Sequence, residues 1–559
     1  MATDACNETI LQTSLEIEGK ASVVTLTKTH LSWEPSSTGK TSDLLTTEPL
    51  FRTNSRSVEL REIIAVHVEK AQTSETRCVH RGRSSEMCCM EMTSMHPDAF
   101  CIHHVTRQPK HKWRDRKVVF HCPDTVMCQK WIDTINNLLN SSELNRPKHL
   151  LVFVNPYGGK RKGPKIYREK VAPLFELAGI TTDVIITEHA NHAKDHIRDT
   201  DLTKVDGLIC VGGDGMFSEL LNGLLTHTEQ DLGIAQTPDH RPVTPSVRIG
   251  IIPAGSTDTV VYSTTGTNDP VTSALHIITG DSIGIDVTGV FHRNQFITYN
   301  VSMLAYGYYG DVLVDSEQHR WMGPKRYDWC GFKKFMSNKW YEGEVTFRVS
   351  PNSDSNPRDG TRCWAGCKIC KESKENLSDT SPASTEDGAK GKQEDTAGWQ
   401  TVKGRFVGIN SFVMSCKCGK SPEGVSPCCH LGDGCADLTI INHCSRANYG
   451  RHLYRCMVKK ADQFDLSFIQ VYRVREFTFR PLPEGADENS ETENPPENAQ
   501  QTTDFTPLRQ QHHSVWNCDG ELVQYPDITV KIYCQLVNIF ARGIEEPMGK
   551  EAIQSGSSA

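Results

Sequence analysis

CVGGDGMFSELLNG, residues Cys210–Gly223, joins an apolar run at Leu208–Val211 to a helical pattern through a turn of glycines around one acid, Asp214. IIPAGSTDT, from Ile251, repeats the design after the apolar run Ile249–Ile252. Glycines let backbone N–H groups close around a phosphate, and a following helix adds the positive end of its dipole. A carboxylate beside that phosphate can take a proton or help hold a metal. The combination implies phosphoryl transfer from a nucleotide.

Outward from this turn, strand and helix patterns alternate. Lys148–Val154 reads as a buried strand ending at NPYGGKRKG, Asn155–Gly163. A helix over Lys165–Leu177, a strand over Thr182–Thr187, a helix over Asn191–Asp199, the strand Gly207–Val211 and a helix from Met216 follow. Continuous apolar strands alternating with helices imply a parallel α/β sheet. Ligands of such sheets bind outside the carboxyl ends of the strands, where Asn155–Gly159, Gly212–Gly215 and Ala254–Thr257 all fall. A lone glycine turn is usually structural; three on one sheet edge are far more specific. No G-x4-G-K-[ST] occurs, so this is not a P-loop.

Before this region, 15–143 reads as a small separate domain. Ser22–Thr27 and Val118–His121 read as strands. Asp124–Leu139 reads as one amphipathic helix with Val126, Trp131, Ile132, Ile135, Leu138 and Leu139 at helical spacing. The run Arg107, Lys110, Lys112, Arg114, Arg116, Lys117 suits anionic headgroups, or is a solvated basic loop. After Ile283, strands dominate. Gly404–Met414, Phe468–Phe479 and Ile528–Phe540 alternate in period two, which favours an antiparallel sheet or sandwich. Lys371–Gly398 and Pro483–His513 are polar excursions with too few apolar residues to order alone. The fold class is therefore multidomain α/β plus β, divided as 15–143, 146–296 and 297–545.

The chain has 559 residues, a net charge of −8 and 21 cysteines. There is no global basic field for nucleic acid. Met1–Gln12 lacks the basic start and apolar run of a secretory signal, and no stretch reaches the ~18 apolar residues of a spanning helix. A soluble or membrane-peripheral cytosolic protein with mostly reduced thiols is the expectation.

NPYGGKRKG, GGDGMFSE (Gly212–Glu219) and PAGSTDT (Pro253–Thr259) resemble the diacylglycerol-kinase catalytic domain shared by sphingosine and diacylglycerol kinases. The N-terminal strands and Trp131 helix resemble a pleckstrin-homology domain. With CWAGCKIC (Cys363–Cys370) and WNCDGE (Trp516–Glu521), the resemblance narrows to the ceramide kinases. It implies Mg²⁺-assisted transfer of the γ-phosphate of ATP to the primary hydroxyl of ceramide. The alternatives are a sphingosine or diacylglycerol kinase or, from another class, a non-catalytic membrane-binding adaptor.

By this resemblance Asp214 is the base that accepts the alcohol proton, with Glu521 its rival. A positioned base contributes about 10²–10⁴-fold. ATP contacts are implied for Asn155, Pro156, Tyr157, Gly158, Gly159, Thr187, Glu188, His189, Ala190, Asn191, Ser256, Arg320, Asp519, Gly520 and Glu521. Asp519 or Glu521 is a plausible Mg²⁺ ligand, or the strip is a surface hairpin turn. Gly213, Asp214, Gly215, Met216 and Asp311 are implied at the lipid. Gly213 and Gly215 are expected to let the chain bend around Asp214. Leu313 stands where sphingosine kinases carry a headgroup-reading acid, which fits a lipid without a free amine.

Cys363, Cys367 and Cys370 form an incomplete metal set that Cys416, Cys418, Cys428 or Cys429 could complete. A structural or substrate-positioning cysteine cluster is the favoured reading. Arg446–Lys460 carries five Lys/Arg and no Asp/Glu, with Tyr449, Leu453 and Met457 on one helical face. It reads as a membrane-surface or calmodulin-binding helix, or as a helix packed through that same face. The resemblance implies Ca²⁺–calmodulin stimulation there and a cytoplasmic protein peripheral on Golgi and plasma membranes.

Overall fold

Along Lys20–Thr27, Ser22, Val24 and Leu26 are buried in alternation with more exposed neighbours, the period of a strand with one face in a core. In the computed structural model, which describes residues 8–36, 56–70, 95–323, 325–350, 356–378, 398–483 and 513–546, this strand belongs to a seven-stranded sheet. The order is Arg56–Glu59, His30–Pro35, Lys20–Thr27, Thr9–Ile17, Lys112–His121, Met95–Gln108, Ile63–Lys70, with every neighbouring pair antiparallel. The helix Thr125–Leu139 packs on it. Asp124 caps the helix by accepting from the Met127 N–H at 2.7 Å. Trp131 is fully buried and stacks on Phe100, with ring centroids 6.1 Å apart. Val126 departs from the sequence reading: it is 77% exposed, on the helix's solvent side. This sheet and helix form most of one compact unit, Met1–Lys148 with Val171–Thr181 and Ala274–Asp281.

The second unit comprises His149–Lys170, Thr182–Ser273 and Ser282–Ala559. Its α/β half has the strand order Thr181–Ile186, His149–Val154, Gly207–Gly212, Arg248–Pro253. The last three pair in parallel and all but the first residue of each is buried or the whole strand is. The chain steps one way from His149–Val154 and the other way from Gly207–Gly212. The order reverses beside Asn155 and Gly213, the switch point outside which open α/β sheets bind their ligands. The segment expected as one helix over Lys165–Leu177 is three short pieces, Gly163–Ile166, a π turn Tyr167–Val171 and Ala172–Leu177.

The antiparallel half continues the same sheet, because Ile539 pairs with Ile249. Its long strands Trp399–Phe412 and Ile469–Pro481 each change partner midway. Both flank Tyr341–Val349 over one half and Ala436–Asn442 over the other. Strands that pass from one pairing to another in this way build a two-layered, sandwich-like body. Val345, Phe347, Ile409, Leu438, Ile440, Val474, Phe477 and Trp516 fill its core. Among the described residues, four helices interrupt the strands, Tyr308–Glu317, Lys325–Ser337, Lys368–Ser378 and Arg446–Met457. Lys371–Ser378, expected within a polar excursion, is thus helical; 379–397 and 484–512 lie outside the described residues.

Candidate active site

Asn155 follows the first strand, and its side-chain oxygen accepts from the N–H groups of Tyr157 and Gly158 at 2.8 and 2.9 Å. This Asx turn directs the chain to Gly159, whose φ is +55°. A Cβ on Gly159 would lie 2.5 Å from the Ala254 carbonyl oxygen. Asp258 shapes the third turn in the same manner, accepting from Gly255 N–H at 2.9 Å and from Asn268 at 2.9 Å. A Cβ on Gly255 would meet Gly213 Cα at 2.5 Å. The three turns therefore interlock through glycine, Gly159 against Gly255 and Gly255 against Gly213. The N–H groups of Tyr157, Gly158 and Gly255 are engaged in holding these shapes.

Asp214 opens the helix Asp214–Asp231, two residues earlier than the sequence pattern indicates. Its carboxylate accepts from Thr259 and Val260 N–H, each at 3.0 Å, at the start of the helix after the third turn. Burial pushes its pKa up, against the lowering by these bonds. Asp258 is pushed up to about 6 by burial and by the Asp214 charge. Gly213 is required by its contact with Gly255, since its φ of −110° suits any residue. The expectation that Gly215 allows a tight bend is corrected: it is helical and exposed, and a Cβ there meets nothing within 4 Å. Met216, expected at the lipid, packs its side chain into the core beside Gly212.

The C-terminal strip is a hairpin, Trp516–Cys518 with Glu521–Val523, closed by Asp519 and Gly520, both with positive φ. It is not a surface turn at Asp519. That side chain is buried and accepts from the N–H groups of Val301 at 2.7 Å, Ser302 at 3.0 Å and Met303 at 3.1 Å, and from the Ser302 hydroxyl. Four donors are about what a carboxylate can accept, so Asp519 anchors the hairpin rather than holding a metal. Glu521, next to it, is exposed at the surface. Partial desolvation of its carboxyl by neighbouring groups and the Glu317 charge raise its pKa, while Arg320 lowers it. Arg320 is exposed and paired with Glu317, Nε to Oε2 2.6 Å.

The charges of Asp214 and Asp519 act on each other, as do those of Glu521 and Glu219. Glu219 has one buried carboxylate oxygen without a hydrogen-bond partner. Asp214 and Asp258 thus sit within the turns, Asp519 lies near enough to feel the charge of Asp214, and Glu219, on the helix that Asp214 opens, feels that of Glu521. Glu219 and Asp258 lie inside the quoted motifs but were not singled out from sequence; their acid type within a glycine motif was the available signal. Thr187 is buried, with its N–H 3.0 Å from the Val154 carbonyl, whereas Glu188, His189, Ala190, Asn191 and Ser256 are exposed. His189 stacks on His192 at 4.8 Å. Asp311 is tied to Tyr341 and Ser514 hydroxyls at 2.7 and 2.6 Å, and Leu313 is buried.

Elsewhere, Arg107 and Lys117 of the basic run pair with Glu62 and Glu69. The helix Arg446–Met457 buries Tyr449, His452 and Cys456, while Met457 is 52% exposed. The buried face is thus rotated from the Tyr449–Leu453–Met457 stripe, and Tyr449 packs with Val407, Ile441 and Cys444. Cys363, Cys367 and Cys370 gather around His430, not around a fourth cysteine.

Family models match along the chain: a ceramide kinase PH domain over 11–135, a diacylglycerol kinase catalytic domain over 149–290 and a ceramide kinase C-terminal domain over 302–554. The ceramide kinase of Homo sapiens is 45% identical over 499 residues, covering 88% of this chain and 89% of that protein. The chain belongs to the ceramide kinase family. The Mus musculus ceramide kinase is 45% identical over 496 residues, covering 88% of this chain and 91% of that protein. The Oryza sativa subsp. japonica ceramide kinase is 32% identical, covering 80% of this chain and 85% of that protein. Membership of this family makes the interlocked turns part of a lipid-kinase catalytic domain.

Proposed function

We propose that this chain is an ATP-dependent lipid kinase that phosphorylates the primary hydroxyl of ceramide, giving ceramide 1-phosphate. The observation that carries the reaction type is the interlocking of three glycine turns around Asp214 at the sheet's switch point, with Glu521 near enough to Glu219 of the same helix for their charges to interact. The choice of ceramide rests on family membership and on buried Leu313 in place of an amine-reading acid. The working division is 15–143 for the pleckstrin-like domain, 146–296 for the nucleotide domain and 297–545 for the β-rich domain.

Asp214 accepts the alcohol proton. Burial raises its basicity, and the Thr259 and Val260 N–H groups fix its orientation. The opposing observation favours Glu521: it carries no such backbone anchors and faces Arg320, a cation suited to a phosphate. Glu521, Asp214 and Asp258 offer hard oxygens of the kind that would hold Mg²⁺, which would supply neutralisation of the phosphate charge of bound ATP. Asn155–Gly159, Thr187–Asn191, Ser256 and Arg320 line the nucleotide, and Asp519 with Gly520 holds Glu521 in place. Gly213, Gly215 and Asp311 lie on the lipid side.

The kinase works at a membrane surface. No helix among the described residues is long and apolar enough to cross a membrane. The helix Lys325–Ser337, just after Arg320, exposes Trp329, Phe332 and Met336 at 51%, 59% and 45%, spaced along one face. An exposed aromatic face beside lysines suits a headgroup layer. The pleckstrin-like domain adds a second contact through Lys110, Lys112, Arg114 and Arg116 toward phosphoinositides, on Golgi and plasma membranes. A Ca²⁺–calmodulin contact at 446–460 would use Tyr454, Met457 and Val458, the apolar residues left exposed.

The test is transfer of labelled γ-phosphate from ATP to ceramide, sphingosine and diacylglycerol in mixed micelles. Wild type, Asp214→Asn and Glu521→Gln are compared, with ATP binding measured alongside. Ceramide product lost in Asp214→Asn with ATP binding intact supports the assignment. Loss confined to Glu521→Gln moves the base to Glu521. No ceramide product from folded wild type overturns the substrate.

A further inference from the structure

Four candidate metal ligands outside the catalytic turns converge on one point. The Sγ atoms of Cys363, Cys367 and Cys370 and a ring nitrogen of His430 all lie within 4.8 Å of one another. Cys363 Sγ stands 3.7 Å from Cys370 Sγ, and Cys367 Sγ stands 3.4 Å from His430 Nδ1. With Zn–S near 2.3 Å and Zn–N near 2.0–2.1 Å, a tetrahedral zinc site has S···S edges of about 3.8 Å and S···N edges of about 3.5 Å. We propose that Cys363, Cys367, Cys370 and His430 bind one Zn²⁺ as a closed, structural Cys₃His site.

The local chain is built for this geometry. Gly366, at φ +76°, turns the segment so that Cys363 and Cys367 face the same point. Cys370 comes from the first turn of the helix Lys368–Ser378. His430 is buried, and the three cysteines are half-buried. The far ring nitrogen of His430, Nε2, lies 3.4 Å from the Thr361 hydroxyl, which donates to Asp359 at 2.7 Å. A metal-bound imidazole commonly has its other nitrogen held in this way. Thiols are weak donors and acceptors, so the cluster without a cation packs three poorly satisfied sulfurs around one imidazole. Sulfur with imidazole selects zinc over the hard cations Mg²⁺ and Ca²⁺.

Both arms of the site are tied to the sheet. Gln535, on the strand Ile528–Ile539, donates from Nε2 to the Cys370 carbonyl at 2.7 Å and to the Gly432 carbonyl at 2.8 Å. Beside His430, Cys429 reaches the Phe412 carbonyl at 3.2 Å. Val413 N–H in turn bonds the Ser302 carbonyl at 3.3 Å, and Ser302 bonds Asp519. The metal fastens the segment 359–378 to the loop around 430 and supports the floor that carries the Asp519 hairpin. It touches no reacting atom.

The full chain, purified without a metal-chelating tag, is tested by elemental analysis and by cobalt exchange. One zinc per chain is expected in wild type and in Cys444→Ser, a control thiol outside the cluster. Zinc should be lost in Cys367→Ser and His430→Ala and kept in His430→Cys. The cobalt form of wild type should show tetrahedral absorption with thiolate charge transfer for three sulfurs, rising to four in His430→Cys. Where a ligand variant fails to fold, the cobalt spectrum of wild type decides. Wild type that is zinc-free and takes up no cobalt overturns the proposal, as does full zinc content in folded Cys367→Ser.

Discussion

Replacing Gly255 by alanine should break the catalytic turns without touching an ionisable group. The added Cβ would sit 2.5 Å from Gly213 Cα and 2.5 Å from Asp258 Oδ1. Carbon contacts settle near 3.5–4.0 Å, so the turns must part by about 1 Å. Gly213 cannot give way alone, because it leads directly into Asp214 at the helix start. Asp258 cannot either, because its oxygens bond Gly255 and Asn268. Overpacking of this kind costs about 1–3 kcal/mol. A displacement of about 1 Å at a reacting group can lower turnover by about 10²-fold. Gly215→Ala is the control, since nothing lies within 4 Å of its Cβ position. Alanine in a helix is favoured over glycine by up to about 1 kcal/mol, so this variant should match or slightly exceed wild-type stability. Urea midpoints and ceramide phosphorylation are measured for all three proteins. A rise in the KM for ceramide in stable Gly215→Ala would report close approach of the lipid to that backbone. The reasoning fails if Gly255→Ala keeps the wild-type midpoint and turnover, or if Gly215→Ala unfolds as early as Gly255→Ala.

Asp519→Asn should lower stability by about 2–4 kcal/mol, because a buried carboxylate that bonds four donors becomes an amide with a donor of its own. Its activity should fall with the loosened hairpin, and a variant with wild-type melting would refute the anchoring role. Asp258, with a pKa raised from 3.8 to about 6, binds its proton more tightly folded than unfolded. It therefore stabilises the fold at low pH, and that contribution, about 3 kcal/mol, is lost as pH rises from about 4 through 6. Melting curves across this range should flatten in Asp258→Asn; an unchanged slope would show that another group sets it. Replacing Trp329, Phe332 and Met336 together by serine should weaken sedimentation with anionic vesicles several-fold while leaving the melting temperature unchanged. Equal vesicle binding would remove the interfacial role of that helix.

Apolar strands broken by glycine turns determined the α/β half on their own, because a parallel strand buried on both faces leaves a local record in sequence. The family motifs likewise mark Asp214, Asn155 and the strip Asp519–Glu521 in the sequence. Local patterns could not say what each residue touches. Asp519 reads as a hairpin turn, and only the fold brings it against Val301–Met303. Gly215 and Gly255 look alike in the chain, yet only one has neighbours within contact of a Cβ. The rotation of the Arg446–Met457 helix is set by the aromatic and aliphatic surface it meets, not by its own spacing. His430, 60 residues beyond Cys370, carries no motif that links it to the cysteines. The sequence by itself determined the periodic elements and the acids within glycine turns, because those depend on neighbours along the chain. The tertiary structure decided which acid anchors, which glycine is indispensable and which histidine completes the cysteine cluster, because those depend on contacts between segments distant in sequence.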